Sequence, residues 1–250
     1  MNVCSRTIIR RLAEAGLFCR VACVKYHISE KNRVARLAFA RKYIDKPAEF
    51  WHSWAFSDES PYQLLQKNGK VIVYLEVGAR YEKQNLMPSF KSVDRRKVMV
   101  WGAFSWKGVG DLYWVQETMT GKIYVKIIRR FLKSSAKKCC PTYPDFFWQE
   151  DNDPKHTSGV AQEYFRRNKV NLVQWPSQSP DLNPIEHLWD VLDHEVRKLH
   201  PERFRSEEAL FSSLQEAWNI LDLDMMQTLI SSMPRRLQAV IDNDGYPTKY

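Results

Sequence analysis

No run of apolar residues in this 250-residue chain approaches the length needed to cross a bilayer, and no apolar core of signal-peptide length follows the early arginines. Both absences point to a soluble, intracellular protein. Cysteine is scarce and odd in number, five in all with Cys139 and Cys140 adjacent, which fits a reducing interior and not a disulfide framework. Cys19, Cys23 and His27 recur every fourth residue, but a fourth zinc ligand is lacking, so a packed or solvated helix face is the expectation there. Internal repeats and low-complexity tracts are also missing. What remains is 44% hydrophobic and 13% aromatic, ordinary globular composition with length for one sizeable core and a small appendage.

Charge is unevenly spread. Residues 1–50 hold eleven Lys or Arg against four Asp or Glu, a net of +7, which leaves +2 of the total +9 for the other 200 residues. Ser5, Arg6 and Thr7 ahead of Ile8, Ile9, Leu12 and Gly16 predict a short capped helix with a glycine stop. Lys31, Arg33, Arg36, Arg41 and Lys42, interleaved with Val34, Leu37 and Tyr43, predict a second helix or linker that tracks phosphates, or a solvated helix face.

Three acids stand in distinctive contexts: Asp58 in WAFSDES, Asp151 in FFWQEDNDPKHTS and Glu186 in WPSQSPDLNPIEHLW, with 34 residues between the last two. Alternation puts Phe50, Trp54, Phe56 and Asp58 on one face of a strand. Asp151 follows the aromatic run 146–148, and the proline three residues on argues against continuation of a central strand. Glu186 falls in the first turn of a helix with Asn183 as N-cap and Pro184 at the first position. Carboxylates gathered at two strand ends and a helix start repel one another unless a cation lies between them. Oxygen ligands without thiolates select Mg²⁺ or Mn²⁺. Two such ions, roughly 4 Å apart, suit in-line phosphoryl displacement. Each acid also has a plain reading: Glu186 as a capping-box glutamate, Asp58 and Asp151 as strand-ending turn residues. Asp153 and Asp181 rank below the three. His156 and His187, beside the acids, either orient a phosphate or carboxylate or serve as packing and hydrogen-bonding residues.

FSDES, VMVWGAFS, QEDNDPKHTS, SPDLNPIEHLW, SMPRR and GYPTKY occur in an order that resembles the transposases of the Tc/mariner superfamily, on its Tc side, from about Ser5 to the last residue. The resemblance implies an α/β, RNase H-like mixed sheet flanked by helices, with Asp58, Asp151 and Glu186 as the catalytic metal-binding triad for two Mg²⁺ or Mn²⁺ ions. It implies cleavage at transposon terminal inverted repeats, strand transfer into TA-containing DNA, a homodimer on DNA and work in the nucleus. It also makes 1–25 a remnant of a second helix-turn-helix unit, 26–47 a basic linker and 48–250 the catalytic domain. The chain would begin inside that unit, leaving a poorly supported reading helix. Arg6, Arg10, Arg11, Lys31, Arg33 and Arg36 are the expected DNA contacts. The chain departs from the family pattern at residues 92–97 and 73–75, which favours a rival reading: a decayed or co-opted DNA-binding remnant without catalysis. A general RNase H-like nuclease explains the acids but not the SPDLNPIEHLW and GYPTKY segments.

Along the catalytic part, pattern predicts strands near 50–57, 62–66, 70–76, 98–105, 111–116 and 171–174. Helices are expected near 122–134, 159–167, 184–199, 206–220 and 223–241.

Overall fold

The computed structural model describes residues 4–16, 28–64, 96–200 and 204–250. Its centre is a mixed sheet of β1 (Trp54–Gln63), β2 (Lys97–Ser105), β3 (Gly108–Val109), β4 (Tyr113–Trp114), β5 (Phe147–Gln149) and β6 (Asn171–Leu172). The order is β3-β2-β1-β5-β6, with β4 also paired to β2. β1 runs antiparallel to β2 and parallel to β5, which in turn is parallel to β6.

Residues Ala48–Ser53 form a 3-10 helix, so Phe50 is not on the expected strand, but from Trp54 on the alternation read in the sequence explains why both sheet faces are covered. Trp54 and Phe56 of β1 join one core and Ala55 joins the other, as period-two side chains must. Under the second face lie α3 (Gly121–Ser134), α4 (Ala136–Cys139) and α5 (Gly159–Arg167). Thr120 caps α3 by accepting from the Ile123 amide, and Tyr124, Val125, Ile127, Ile128 and Phe131 then recur on its buried face. Over the first face lie α2 (Glu30–Tyr43), α6 (Ile185–Leu199), α7 (Glu207–Asn219), α8 (Leu223–Ser231) and α9 (Met233–Asp242). α1 (Ser5–Glu14) has no buried residue.

Several expectations need correcting. Residues 62–63 belong to β1 and Leu64 is a buried bend after it, while residues 65–76 of the expected hairpin lie outside the described residues, as do Cys19, Cys23, His27 and residues 92–95. The strand expected at 111–116 is shortened to β4, and the short strand β3 precedes it at Gly108–Val109. The helix expected over 223–241 is two helices parted at Ser232, because Pro234 has no amide to donate and is tolerated only in the first turn of α9. Ser5 is the first residue of α1 and not its cap, while Gly16, at φ 76°, makes the expected glycine stop.

The basic segment before residue 48 is not a free linker. Phe39 and Ala40 of α2 are core residues, and α2 packs along α9. Arg36, expected to contact phosphate, is fully buried. Its Nη1 and Nη2 each donate to an Asp181 carboxylate oxygen at 2.7 Å, and its Nε donates to the Gly245 carbonyl at 2.8 Å. Arg33 is likewise occupied, by Glu30 and Asp244. Both arginines are therefore corrected from DNA contacts to fold contacts; Arg6, Arg10, Arg11 and Lys31 remain exposed. Gly245 is needed where the tail crosses α2: its φ is 82°, and a Cβ there would sit 2.5 Å from the Arg33 carbonyl oxygen.

Burying one charge without its partner is far costlier than burying the pair. Replacing Arg36 by Met should therefore lower unfolding stability by about 3–5 kcal/mol, read from urea denaturation midpoints at constant m-value. A loss below about 1 kcal/mol, the range of exposed pairs, would show that Asp181 finds water instead.

Candidate active site

Strand register brings the first two acids together. Phe56 pairs with Gln149 across the parallel β1 and β5, and Asp58 and Asp151 each follow two residues later, on the same side of the sheet. Gln149 locks that end: its Oε1 accepts from the Ser57 amide at 3.1 Å, and its carbonyl accepts from Ser57 Oγ at 2.8 Å. The third acid arrives on α6. Pro184 is the N-cap of α6 and not its first residue; Asn183, one residue earlier, accepts at Oδ1 from the Ile185 amide at 3.4 Å and donates from Nδ2 to the Ser57 carbonyl at 3.4 Å, so the approach to α6 is tied to β1. Asp58, Asp151 and Glu186 line one pocket of about 120 Å³ with Gln149, Trp175 and Asn183.

Close approach of α6 depends on a missing side chain. Gly102 on β2 pairs with Asp58, and a Cβ there would sit 2.7 Å from Trp189 Cη2 and 3.1 Å from the Trp218 ring. Trp189 is one turn along α6 from Glu186, so the indole seats the helix over the strand pair that carries Asp58.

The electrostatics divide the triad. Burial pushes the Asp58 carboxyl well above the usual range, and the charges of Glu186 and Glu59 add to the shift. Burial also raises Glu186, against a hydrogen bond with Asp58. Asp151 moves the other way: burial would raise it, but hydrogen bonds from His156 and the Asp153 amide hold it below the ordinary value. Among the described residues no three Asp, Glu, His or Cys side chains are close enough to enclose an ion as they stand. Asp151 is hydrogen-bonded to His156, whose Nδ1 lies 2.6 Å from its Oδ1.

His156 is a bridge. Its Nε2 lies 3.1 Å from Glu59 Oε1, and its ring is 4.1 Å from Tyr124. Burial would lower its pKa, but the Asp151 and Glu59 carboxylates outweigh burial and raise it to about 10, so both ring nitrogens carry protons and donate. Beneath it, the Tyr124 hydroxyl donates to Glu150, whose carboxyl burial lifts to about 7 against that bond. Lys155 pairs with Asp153 at 2.7 Å and Glu59 at 3.5 Å. Glu59, Tyr124, Glu150 and Lys155 were not singled out by sequence. Glu59 is next to Asp58, and strand alternation alone would send it to the opposite face. Asp153 and Asp181 are satisfied by Lys155 and Arg36, in keeping with their lower rank. His187 Nδ1 accepts from Arg236 Nη2 at 3.2 Å, which is a hydrogen-bonding role.

Two outcomes follow. Gly102→Ala should displace the rigid Trp189 ring, lower stability by about 1–3 kcal/mol and impair Glu186-dependent chemistry. A variant as stable as the parent would mean that α6 is free to shift. A pKa raised above the unfolded value near 6.5 contributes stability that is complete below that value and lost as pH rises through the folded value of about 10. The parent's thermal midpoint should therefore fall across that window more steeply than that of His156→Gln, and parallel curves would refute the charged bridge.

Comparison with known proteins agrees with this geometry. Residues 53–210 match the DDE superfamily endonuclease model, and residues 1–45 match a transposase helix-turn-helix model of the Tc3 type. The chain is 41% identical to the Tcb1 element transposase of Caenorhabditis briggsae over 98% of its own length and 88% of that protein. It is 41% identical to the Tc1 element transposase of Caenorhabditis elegans over the same shares. The fold superposes on the Mos1 mariner paired-end complex with Mn at a TM-score of 0.81 and 20% identity, covering 99% of this chain and 72% of that one. The Mos1 paired-end complex with Mg gives a TM-score of 0.81 at 21% identity, covering 98% and 72%. An RNase H-like sheet with one acid midway along β1, one just past β5 and one in the first turn of α6, and this identity to nematode element transposases over nearly its whole length, place the chain in the Tc/mariner superfamily of DDE transposases.

Proposed function

We propose that the protein is a DNA transposase that cleaves at transposon ends and joins the freed ends to target DNA, with Asp58, Asp151 and Glu186 as its catalytic acids. The convergence of these three carboxyls on one pocket carries the reading. Their donor set is all hard oxygen, as Mg²⁺ or Mn²⁺ requires. The upward shift of Asp58 beside Glu186 marks negative charge that a divalent ion would neutralise. Two ions bound there would activate a water or 3′-hydroxyl and stabilise the leaving oxygen.

The chain's own residues supply the frame. Asp151, held ionised by His156, is the acid most ready to serve as a ligand at neutral pH. Bound positive charge would let Asp58 and Glu186, whose carboxyls are both pushed upward here, ionise side by side. His156 sets the direction of Asp151, while Asn183 and Gln149 hold the backbone that presents Glu186 and Asp58. The finer parts of the proposal are two ions per site, TA-containing target DNA, a homodimer with one transposon end per protomer, and action in the nucleus. Their support is the family membership, and for pairing the Mos1 paired-end complexes as well.

Asp151→Asn keeps the shape and removes the charge. It should abolish cleavage of pre-nicked terminal-repeat DNA in Mg²⁺ or Mn²⁺ while leaving the circular dichroism unchanged. Mn²⁺ should raise the thermal midpoint of the parent and not of the variant. Equal cutting by parent and variant would sink the assignment, and a parent that binds DNA without cutting would turn the reading to a non-catalytic remnant.

A further inference from the structure

The net charge of +2 for residues 51–250 conceals a local excess. Between Gly121 and Cys139 there are seven Lys or Arg and no Asp or Glu, a net of +7, so the rest of that stretch carries −5. Five of the seven are on α3: Lys122, Lys126, Arg129, Arg130 and Lys133. Lys137 and Lys138 extend the series on α4. All seven are exposed.

Their spacing of four, three, one and three residues keeps the α3 members on one helix face, opposite the buried Tyr124, Ile128 and Phe131. At 1.5 Å per residue they span roughly 16 Å, about five base pairs of duplex at 3.4 Å each.

Helices α1, α5 and α6 carry counter-charge for their arginines, whereas α2 leaves Lys31, Arg41 and Lys42 without an ion pair among the described residues. Arg10 and Arg11 meet Glu14, Arg166 and Arg167 meet Glu163, and Arg197 meets Asp193. Among the described residues none of the seven makes an ion pair. The like charges at Lys122 and Lys126, Lys126 and Arg130, and Arg129 and Lys133 repel one another along the helix, and Lys122 opposes the dipole at its N-terminus. Such a surface is unfavourable for the isolated protein and becomes favourable against a polyanion. Two of the cations are held in place: the Arg129 guanidinium lies 5.7 Å from the Tyr164 ring centre and that of Arg130 4.8 Å from the Tyr113 ring centre.

The face is also next to the active site. A Cβ at Gly121 would sit 3.3 Å from the Lys155 carbonyl oxygen and 2.1 Å from Ser158 Oγ, so α3 starts against the turn that contains His156. Its inner face is tied to the same place by Tyr124, which stacks near His156 and donates to Glu150.

We infer that the exposed face of α3 and α4 is a docking track for the phosphate backbone of the target duplex, leading it to the acid triad. This rests on the transposase reading above. Ser134 is the one exposed side chain of α3 that is not Lys or Arg, and it is occupied by Asp111 and the Arg130 carbonyl. A face of this kind neutralises phosphates and reads no base edges, which suits a duplex accepted at many positions more than a terminal repeat that must be identified.

The test uses the full chain with Lys126→Gln, Arg129→Gln, Arg130→Gln and Lys133→Gln combined, substitutions that keep helix propensity. Titrated against a random-sequence duplex across salt concentrations, the variant should bind at least about tenfold more weakly, and the slope of log affinity against log salt should fall by about 3–4, near 0.9 per lost contact. Arg166→Gln with Arg167→Gln, whose charges Glu163 already offsets, should change the slope by less than about one. Joining of pre-cleaved ends to plasmid should drop about tenfold, while hydrolytic cleavage of the terminal-repeat duplex stays within about twofold. An unchanged slope and affinity in a normally folded variant overturns the proposal, as does a loss confined to terminal-repeat cleavage. If the parent neither cleaves nor joins, the transposase reading fails by itself, and the salt slope still decides whether this face binds duplex.

Discussion

The bidentate contact between Arg36 and Asp181 joins parts of the chain that are otherwise far apart in sequence. Asp181 lies in the SPDLN turn that leads into the helix of Glu186, and its second oxygen also accepts from the Thr248 amide at 2.9 Å. Arg236 donates to the Asp181 carbonyl at 2.6 Å and lies 4.8 Å from the Tyr250 ring centre. Helix α2 and the C-terminal segment meet on the Asp181 carboxylate, and α9 holds the backbone carbonyl of the same residue. Burial alone would raise that carboxyl, but the Arg36 guanidinium holds it below its ordinary value, so the pair remains charged inside the protein. The turn cannot shift without unpairing a buried charge, and for this reason the start of α6 is a rigid support for an acid.

The acids of the site sit in the reverse condition. Asp58 and Glu186 lie half-buried beside each other with no guanidinium among the described residues to pair them, and both are pushed up in pKa, whereas Asp151 has an imidazolium and stays low. The same chain thus contains one carboxylate neutralised for structure and two left short of positive charge in a pocket. That contrast separates Asp181 from the triad on physical grounds, although all four acids occur in recognisable family segments. His156 occupies the middle ground, because its charge serves Asp151 and Glu59 together and couples the two sides of the sheet end.

Basic residues show a parallel division. Those of α2 that looked available for phosphate are partly consumed by the fold, Arg36 entirely and Arg33 largely. The face of α3 keeps every charge exposed and, among the described residues, unmatched. Summing charge over long stretches favoured the front of the chain and hid this second region, since acids elsewhere in the catalytic part cancel it in the total.

The sequence by itself determined the site residues' local settings. Period-two alternation placed Asp58 on the face of Trp54 and Phe56, the Asn-Pro pair set the start of α6 just before Glu186, and long ordered motifs indicated the family. These are short-range properties, set by backbone geometry and by capping within a few residues, so they are legible without a fold. Only the tertiary structure decided the rest. The pairing of Phe56 with Gln149 set Asp58 beside Asp151, Gly102 made room for Trp189, and Pro234 split a helix that periodicity had drawn as continuous. Most of all, nothing local distinguishes Arg36 from its exposed neighbours on α2. Whether a long cationic side chain meets phosphate or a buried carboxylate depends on what packs over its helix face, and here that is Asp181, 145 residues away.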